Sequence, residues 1–247
     1  MGRTMLIAGN WKMFKGPGET ASFCAELAEA LAETEGVDVV VAPPFVSIHA
    51  AVAELVGSRL RVYAQNVHWE EEGPFTGEIS RSMLIASGAA GAIVGHSERR
   101  QYFGETDEAT ALRARAALEA GLAVIACVGE TLHEREAGET EAVLRRQIEA
   151  IAVEIPDAGA GFEIAYEPVW AIGTGKTATP ETAQEAHAFI RSLYPVERIL
   201  YGGSVKPENA EDLLSQDDVD GALVGGASLD LEPFTAICQT AASLSRS

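Results

Sequence analysis

The chain of 247 residues sets 18 basic side chains against 37 acidic ones, a net charge of −19 with an isoelectric point near 4.6. That excess of negative charge argues against nucleic acid or an anionic membrane as a partner, and no apolar run reaches bilayer length. The three cysteines, Cys24, Cys127 and Cys238, are far apart and odd in number, which suits neither a disulfide framework nor a metal site; with no signal peptide in view, the expected setting is the cytosol.

In chain order the pattern is strand, loop, helix, repeated. Thr4 to Gly9 reads as a strand. Glu19 to Ala32 is a helix with Phe23, Leu27 and Leu31 on one stripe. Strand Val37 to Ala42, stopped by Pro43-Pro44, leads to helix Ser47 to Val56. Strand Leu60 to Ala64 leads to helix Ser80 to Ser87, and strand Ala92 to Gly95 to helix Thr106 to Ala120. Strand Leu122 to Val128 precedes helix Glu139 to Val153. Strand Phe162 to Tyr166 precedes helix Pro180 to Leu193. Strands Ile199 to Tyr201 and Gly221 to Val224 are followed by helices Pro207 to Leu214 and Glu232 to Leu244.

Continuous apolar strands separated by helices imply parallel pairing with both faces covered. Eight such units in this length, with no linker, predict one α/β domain over residues 1–247: a closed, parallel eight-stranded (β/α)8 TIM barrel. An open doubly wound sheet is disfavoured by the lack of a Gly-x-Gly-x-x-Gly turn after the first strand. Acidic clusters such as Glu70-Glu71-Glu72 and Asp217-Asp218 read as solvated faces.

In such a barrel the chemistry lies at the C-terminal ends of the strands. The first strand ends in Gly9-Asn10-Trp11-Lys12. Lysines number four, Lys12, Lys15, Lys176 and Lys206, so an amide and an ammonium here point to polarising a carbonyl or holding a phosphate. An anionic substrate would need such local positive charge against the global field. The fourth strand ends in Gly95-His96-Ser97-Glu98-Arg99-Arg100. A helix start after His96 predicts a lowered imidazole pKa and a neutral ring, with Glu98, Arg99 and Arg100 in an ion-pair network. Cys127, at the fifth tip, reads as a packed, inert thiol.

The sixth tip carries the most information. Glu167 stands before Pro168, which holds it in extended backbone. An apolar stretch, Val169-Trp170-Ala171-Ile172, and then Gly173-Thr174-Gly175-Lys176 read as a hinged flap. A nucleotide-binding P-loop ending at Gly175-Lys176-Thr177 is disfavoured by Trp170, which stands where its first glycine belongs. Tips seven and eight carry Gly202-Gly203-Ser204 and Gly225-Gly226, paired glycines where barrels bind phosphate.

These motifs, in order and over the whole chain, resemble the triosephosphate isomerase family. The resemblance implies a cofactor-free, metal-free isomerase of glycolysis and gluconeogenesis that interconverts dihydroxyacetone phosphate and D-glyceraldehyde 3-phosphate through an enediolate. It implies Glu167 as base, His96 as proton shuttle, and Lys12 and Asn10 as stabilisers of the enediolate. Gly173, Ser204, Gly225 and Gly226 hold the phosphate, and Ser97 and Glu98 support. It also implies a homodimer in which the loop Trp69 to Glu78, with Thr76, inserts beside the partner's site. Two departures bear on contacts between copies: Phe14, where a small polar residue is usual, and a short segment from Tyr194 to Arg198. The alternatives are another phosphosugar-binding barrel enzyme, a glycosidase using Glu98 and Glu167, and a non-catalytic binding barrel.

Overall fold

The computed structural model describes residues 3–172 and 178–244. Eight strands form one closed, wholly parallel barrel in sequence order. They are β1 (Met5–Asn10), β2 (Val37–Ala42), β3 (Arg61–Ala64), β4 (Gly91–Val94), β5 (Ala123–Val128), β6 (Phe162–Tyr166), β7 (Arg198–Tyr201) and β8 (Gly221–Val224). Closure is visible at β1, where Ile7 is in register with Val39 of β2 on one side and Ala222 of β8 on the other.

The reason the strands lack alternating polarity is that both faces are buried. Side chains alternate across a strand, so Leu6, Val40, Ile93, Ile125, Ala165, Leu200 and Leu223 fill the barrel interior. Their neighbours Ile7, Val39, Val41, Val124, Ile164 and Ile199 face outward against the helices. Those helices are α1 (Pro17–Ala30), α2 (Ile48–Glu54), α3 (Arg81–Ala86), α4 (Ser97–Phe103), α5 (Asp107–Glu119), α6 (Leu132–Glu136), α7 (Thr140–Glu154), α8 (Pro180–Leu193), α9 (Pro207–Leu214) and α10 (Leu231–Ser243). Leu27 of α1, Leu144 and Ile148 of α7, Ile190 of α8 and Ile237 of α10 complete the outer core.

Some local features differ from the sequence expectation. Helix α6 was not foreseen, although its signal is present: Thr131 caps the helix and its backbone N–H donates to Glu134 at 2.8 Å, a capping box. Helix α1 starts at Pro17, two residues early, because proline suits a first helical turn. The short segment before β7 is closed by Tyr194, which is buried and donates its hydroxyl to the carbonyl of Ile155. Asp218 is not simply solvated: it accepts from Arg191 at 2.7 Å and Gln184 at 2.6 Å. Among the described residues, no helix is long and apolar enough to cross a membrane.

Candidate active site

Glu167 follows β6 directly and is only 2% exposed. Its backbone is fixed from two sides. Its N–H donates to Val128 O of β5 at 2.7 Å, and Gly202 N–H donates to Tyr166 O at 2.7 Å. Neither flanking glycine could carry a side chain. A Cβ at Gly129 would lie 1.8 Å from Glu167 O, and one at Gly202 would lie 2.9 Å from Glu167 Cγ.

His96 occupies the N-cap of α4. Gly95, at φ 65°, turns the chain from β4 into that helix, in a conformation that favours glycine. The turn aims the imidazole into the barrel mouth. Its Nδ1 accepts from Glu98 N–H at 3.2 Å, and its Nε2 lies 3.0 Å from Glu167 Oε1. The hydrogen-bond pattern therefore places the proton of the neutral ring on Nε2. Ser97 adds its N–H to Glu167 Oε2 at 2.8 Å and its hydroxyl to Oε1 at 3.3 Å.

This close approach sets both pKa values. Burial alone would raise the Glu167 carboxyl, but His96, the Ser97 N–H and the Lys12 charge outweigh it, and the net direction is down. Burial alone would lower His96, but the adjacent Glu167 carboxylate outweighs it and the net direction is up. The lowered imidazole pKa expected from the helix start is thus reversed here, because a carboxylate at 3.0 Å exceeds the influence of a helix end.

Lys12 follows β1 with a backbone φ of 51°, strained for a side chain of this kind. Two partners hold it there: its N–H donates to Asn10 Oδ1 at 3.0 Å, and its carbonyl accepts from Gln65 Nε2 at 2.7 Å. Its ammonium meets Glu98 Oε1 at 2.5 Å. The expected network among Glu98, Arg99 and Arg100 does not form as such. Successive helix residues point about 100° apart, so each finds a different partner: Lys12 for Glu98, Glu105 at 2.6 Å for Arg99, and Asp107 at 2.5 Å for Arg100.

Asn10, Lys12, His96 and Glu167 share one cavity of about 640 Å³ with Gly202, Gly203, Ser204, Gly225 and Gly226. Phe14 also lines its mouth. Asn209 Nδ2 donates to Ser204 O at 3.1 Å, and Ser228 Oγ to Gly225 O at 2.7 Å, so both glycine turns are braced from behind. Ser97 and Glu98 touch Glu167 and Lys12 respectively and lie outside the cavity lining. Thr76 is exposed on the loop after β3 and is not brought to this cavity. Gly173, with the rest of 173–177, lies outside the described residues. Cys127 is buried, and burial first, then the Glu167 charge, push its thiol pKa well up, as suits an inert group.

Two supporting residues escaped the reading of the sequence. Gln65, immediately after β3, also donates to Ala42 O at 2.8 Å and so ties three strand tips together. Glu130, after β5, is fully buried. It accepts from Trp170 Nε1 at 2.9 Å and from the Tyr166 hydroxyl at 3.1 Å, anchoring the single helical turn Val169–Ala171. Both sit at C-terminal strand ends, and that position was the available signal.

A closed parallel barrel with such a cavity at the C-terminal ends of its strands is the architecture of a (β/α)8-barrel enzyme. Residues 5–241 match the family model for triosephosphate isomerase. The chain is 54% identical over 245 residues to triosephosphate isomerase of Geobacter metallireducens, covering 95% of this chain and 98% of that one. It is 52% identical to that of Carboxydothermus hydrogenoformans, with the same coverage of both chains, 95% and 98%. The protein belongs to the triosephosphate isomerase family.

Proposed function

We propose that this isomerase interconverts dihydroxyacetone phosphate and D-glyceraldehyde 3-phosphate with Glu167 as the base that moves a proton between the two substrate carbons. His96 donates from Nε2 to the substrate carbonyl oxygen and carries a proton to the neighbouring oxygen. Lys12 and Asn10 offset the charge of the enediolate. The turns at Ser204 and at Gly225 and Gly226, with Gly173, hold the phosphate through backbone N–H groups. A positioned base contributes roughly 10²–10⁴ in rate, and preorganised charge at the developing oxyanion contributes the larger remainder.

The observation that carries this reading is the 3.0 Å contact of His96 Nε2 with Glu167, in a cavity that also holds Lys12 and two glycine turns. Glu167 here accepts from Ser97 at both oxygens. To reach a substrate carbon it gives up those bonds, and its basicity rises as it does so. The glycosidase alternative is disfavoured because Glu98 is committed to Lys12 at 2.5 Å. Glu167→Gln tests the assignment: turnover of glyceraldehyde 3-phosphate in a coupled assay should fall by at least 10² while a substrate analogue still binds. Unchanged turnover removes Glu167 from the role.

The whole chain is proposed to form a single domain and to act as a cytoplasmic homodimer. Support for a second copy comes from large apolar side chains left exposed at the C-terminal side of the barrel: Met13 93% and Phe14 57% after β1, and Tyr102 and Phe103 both 68% at the end of α4. Phe75, beside Thr76 in the loop after β3, is exposed as well. Sedimentation equilibrium checks the assembly; a monomer at working concentration rejects it.

A further inference from the structure

We infer that Lys206 is the residue that recruits the substrate's phosphate from solution, an inference that rests on the function proposed above. The chain carries a net charge of −19, so a dianionic substrate approaches against a repulsive field. Among the described residues the cavity wall holds two cations, Lys12 and Lys206, and three carboxylates, Glu167, Glu208 and Asp230. Lys12 is already committed to Glu98 at 2.5 Å. Lys206 is exposed, and among the described residues it makes no ion pair.

Its position is set by the chain rather than by a partner charge. Lys206 is the N-cap residue of α9, two residues beyond Ser204, and its backbone N–H donates to Asn209 Oδ1 at 2.8 Å. The same Asn209 donates to Ser204 O at 3.1 Å. One side chain therefore ties the backbone of Lys206 to the glycine turn of β7, while among the described residues the ammonium makes no ion pair at the rim. Such a charge attracts the phosphate during approach and holds it equally well in ground and transition states. It raises kcat/KM and leaves kcat alone.

The test is a charge series at this rim, read at two ionic strengths. At about 0.01 M the screening length is about 30 Å, and at about 1 M about 3 Å. At low ionic strength Lys206→Gln should lower kcat/KM for glyceraldehyde 3-phosphate by roughly five-fold, the effect of one charge on a dianion at the cavity mouth. Lys206→Glu should lower it further, and Lys206→Arg should restore it. Glu208→Gln, which removes a carboxylate from the same rim, should raise it. All values should converge at high ionic strength, with kcat unchanged throughout. An equal loss at both ionic strengths, a loss in kcat, no loss at low salt, or a fall on Glu208→Gln overturns the inference. A wild-type chain inert toward triose phosphates overturns the proposed function as well, whereas an active wild type with salt-independent variants overturns this inference alone.

Discussion

The backbone N–H of Ser97 donates to Glu167 Oε2 at 2.8 Å, although 70 residues separate the two in sequence. This bond ties the carboxylate to the start of α4 and favours its ionised form. Ser97 is also the first residue of α4, where a helix tolerates proline, and His96 before it already has the extended ψ of 141° that proline demands. Ser97→Pro therefore folds while deleting the N–H donor, and Ser97→Ala, which loses only the hydroxyl bond at 3.3 Å, is its control. The Glu167 pKa should rise toward its ordinary value, moving the acid limb of the kcat/KM profile to higher pH. A limb that stays in place removes this N–H as a cause of the low pKa.

Burial would lower the imidazole of His96, and it is raised chiefly because the Glu167 carboxylate outweighs that, with a smaller push from Glu98. In Glu167→Gln that charge is gone, and burial and the Lys12 ammonium act downward against only the smaller upward push of Glu98. The ring nitrogens of His96, followed by NMR, should titrate at lower pH in the variant than in the wild type. A titration at the same or higher pH contradicts the electrostatic account of this pair.

The barrel was legible because its signal is redundant: eight apolar strands and their helices repeat one pattern, and any one unit can be misread without changing the count. Glu167 and His96 were legible for a related reason: each stands at the C-terminal end of an apolar strand, Glu167 before Pro168, which restricts its backbone, and His96 after Gly95, which frees the chain to turn. Gln65 and Glu130 carried only the weak signal of a strand-end position, because their work is to bond groups on neighbouring strands and loops, and no adjacent residue marks those partners. The partners of Arg99 and Arg100 were missed for the same reason. The direction of the His96 shift depended on a 3.0 Å approach that only the folded chain creates.

Gln65 supplies two hydrogen bonds to backbone carbonyls, one of them on the strained Lys12. Gln65→Ala leaves the Lys12 carbonyl without this donor and the Ala42 carbonyl with only the Trp11 N–H at 3.1 Å, a loss of about 1–3 kcal/mol in stability. Lys12 should also relax from its left-handed conformation, so kcat/KM should fall in the folded variant. Urea unfolding and steady-state kinetics check the two halves separately. A variant with wild-type kinetics denies Gln65 its part in positioning Lys12.

His187 in α8 is fully buried, with its Nδ1 3.2 Å from Asp218 O and the ring centroids of Tyr166 and Tyr201 5.8 and 6.4 Å away. Burial chiefly brings its pKa from 6.5 to about 4. The unfolded chain thus binds a proton that the folded chain refuses, and folding stability falls as pH drops through that window. His187 contributes its full share above about pH 6.5 and loses it between 6.5 and 4, a change of up to about 3 kcal/mol. His187→Gln keeps a donor for the Asp218 carbonyl but cannot take up the proton. Unfolding free energies at pH 7 and pH 4 should therefore differ more in the wild type than in the variant, by up to that amount. Parallel losses in the two proteins would assign the acid sensitivity to other groups.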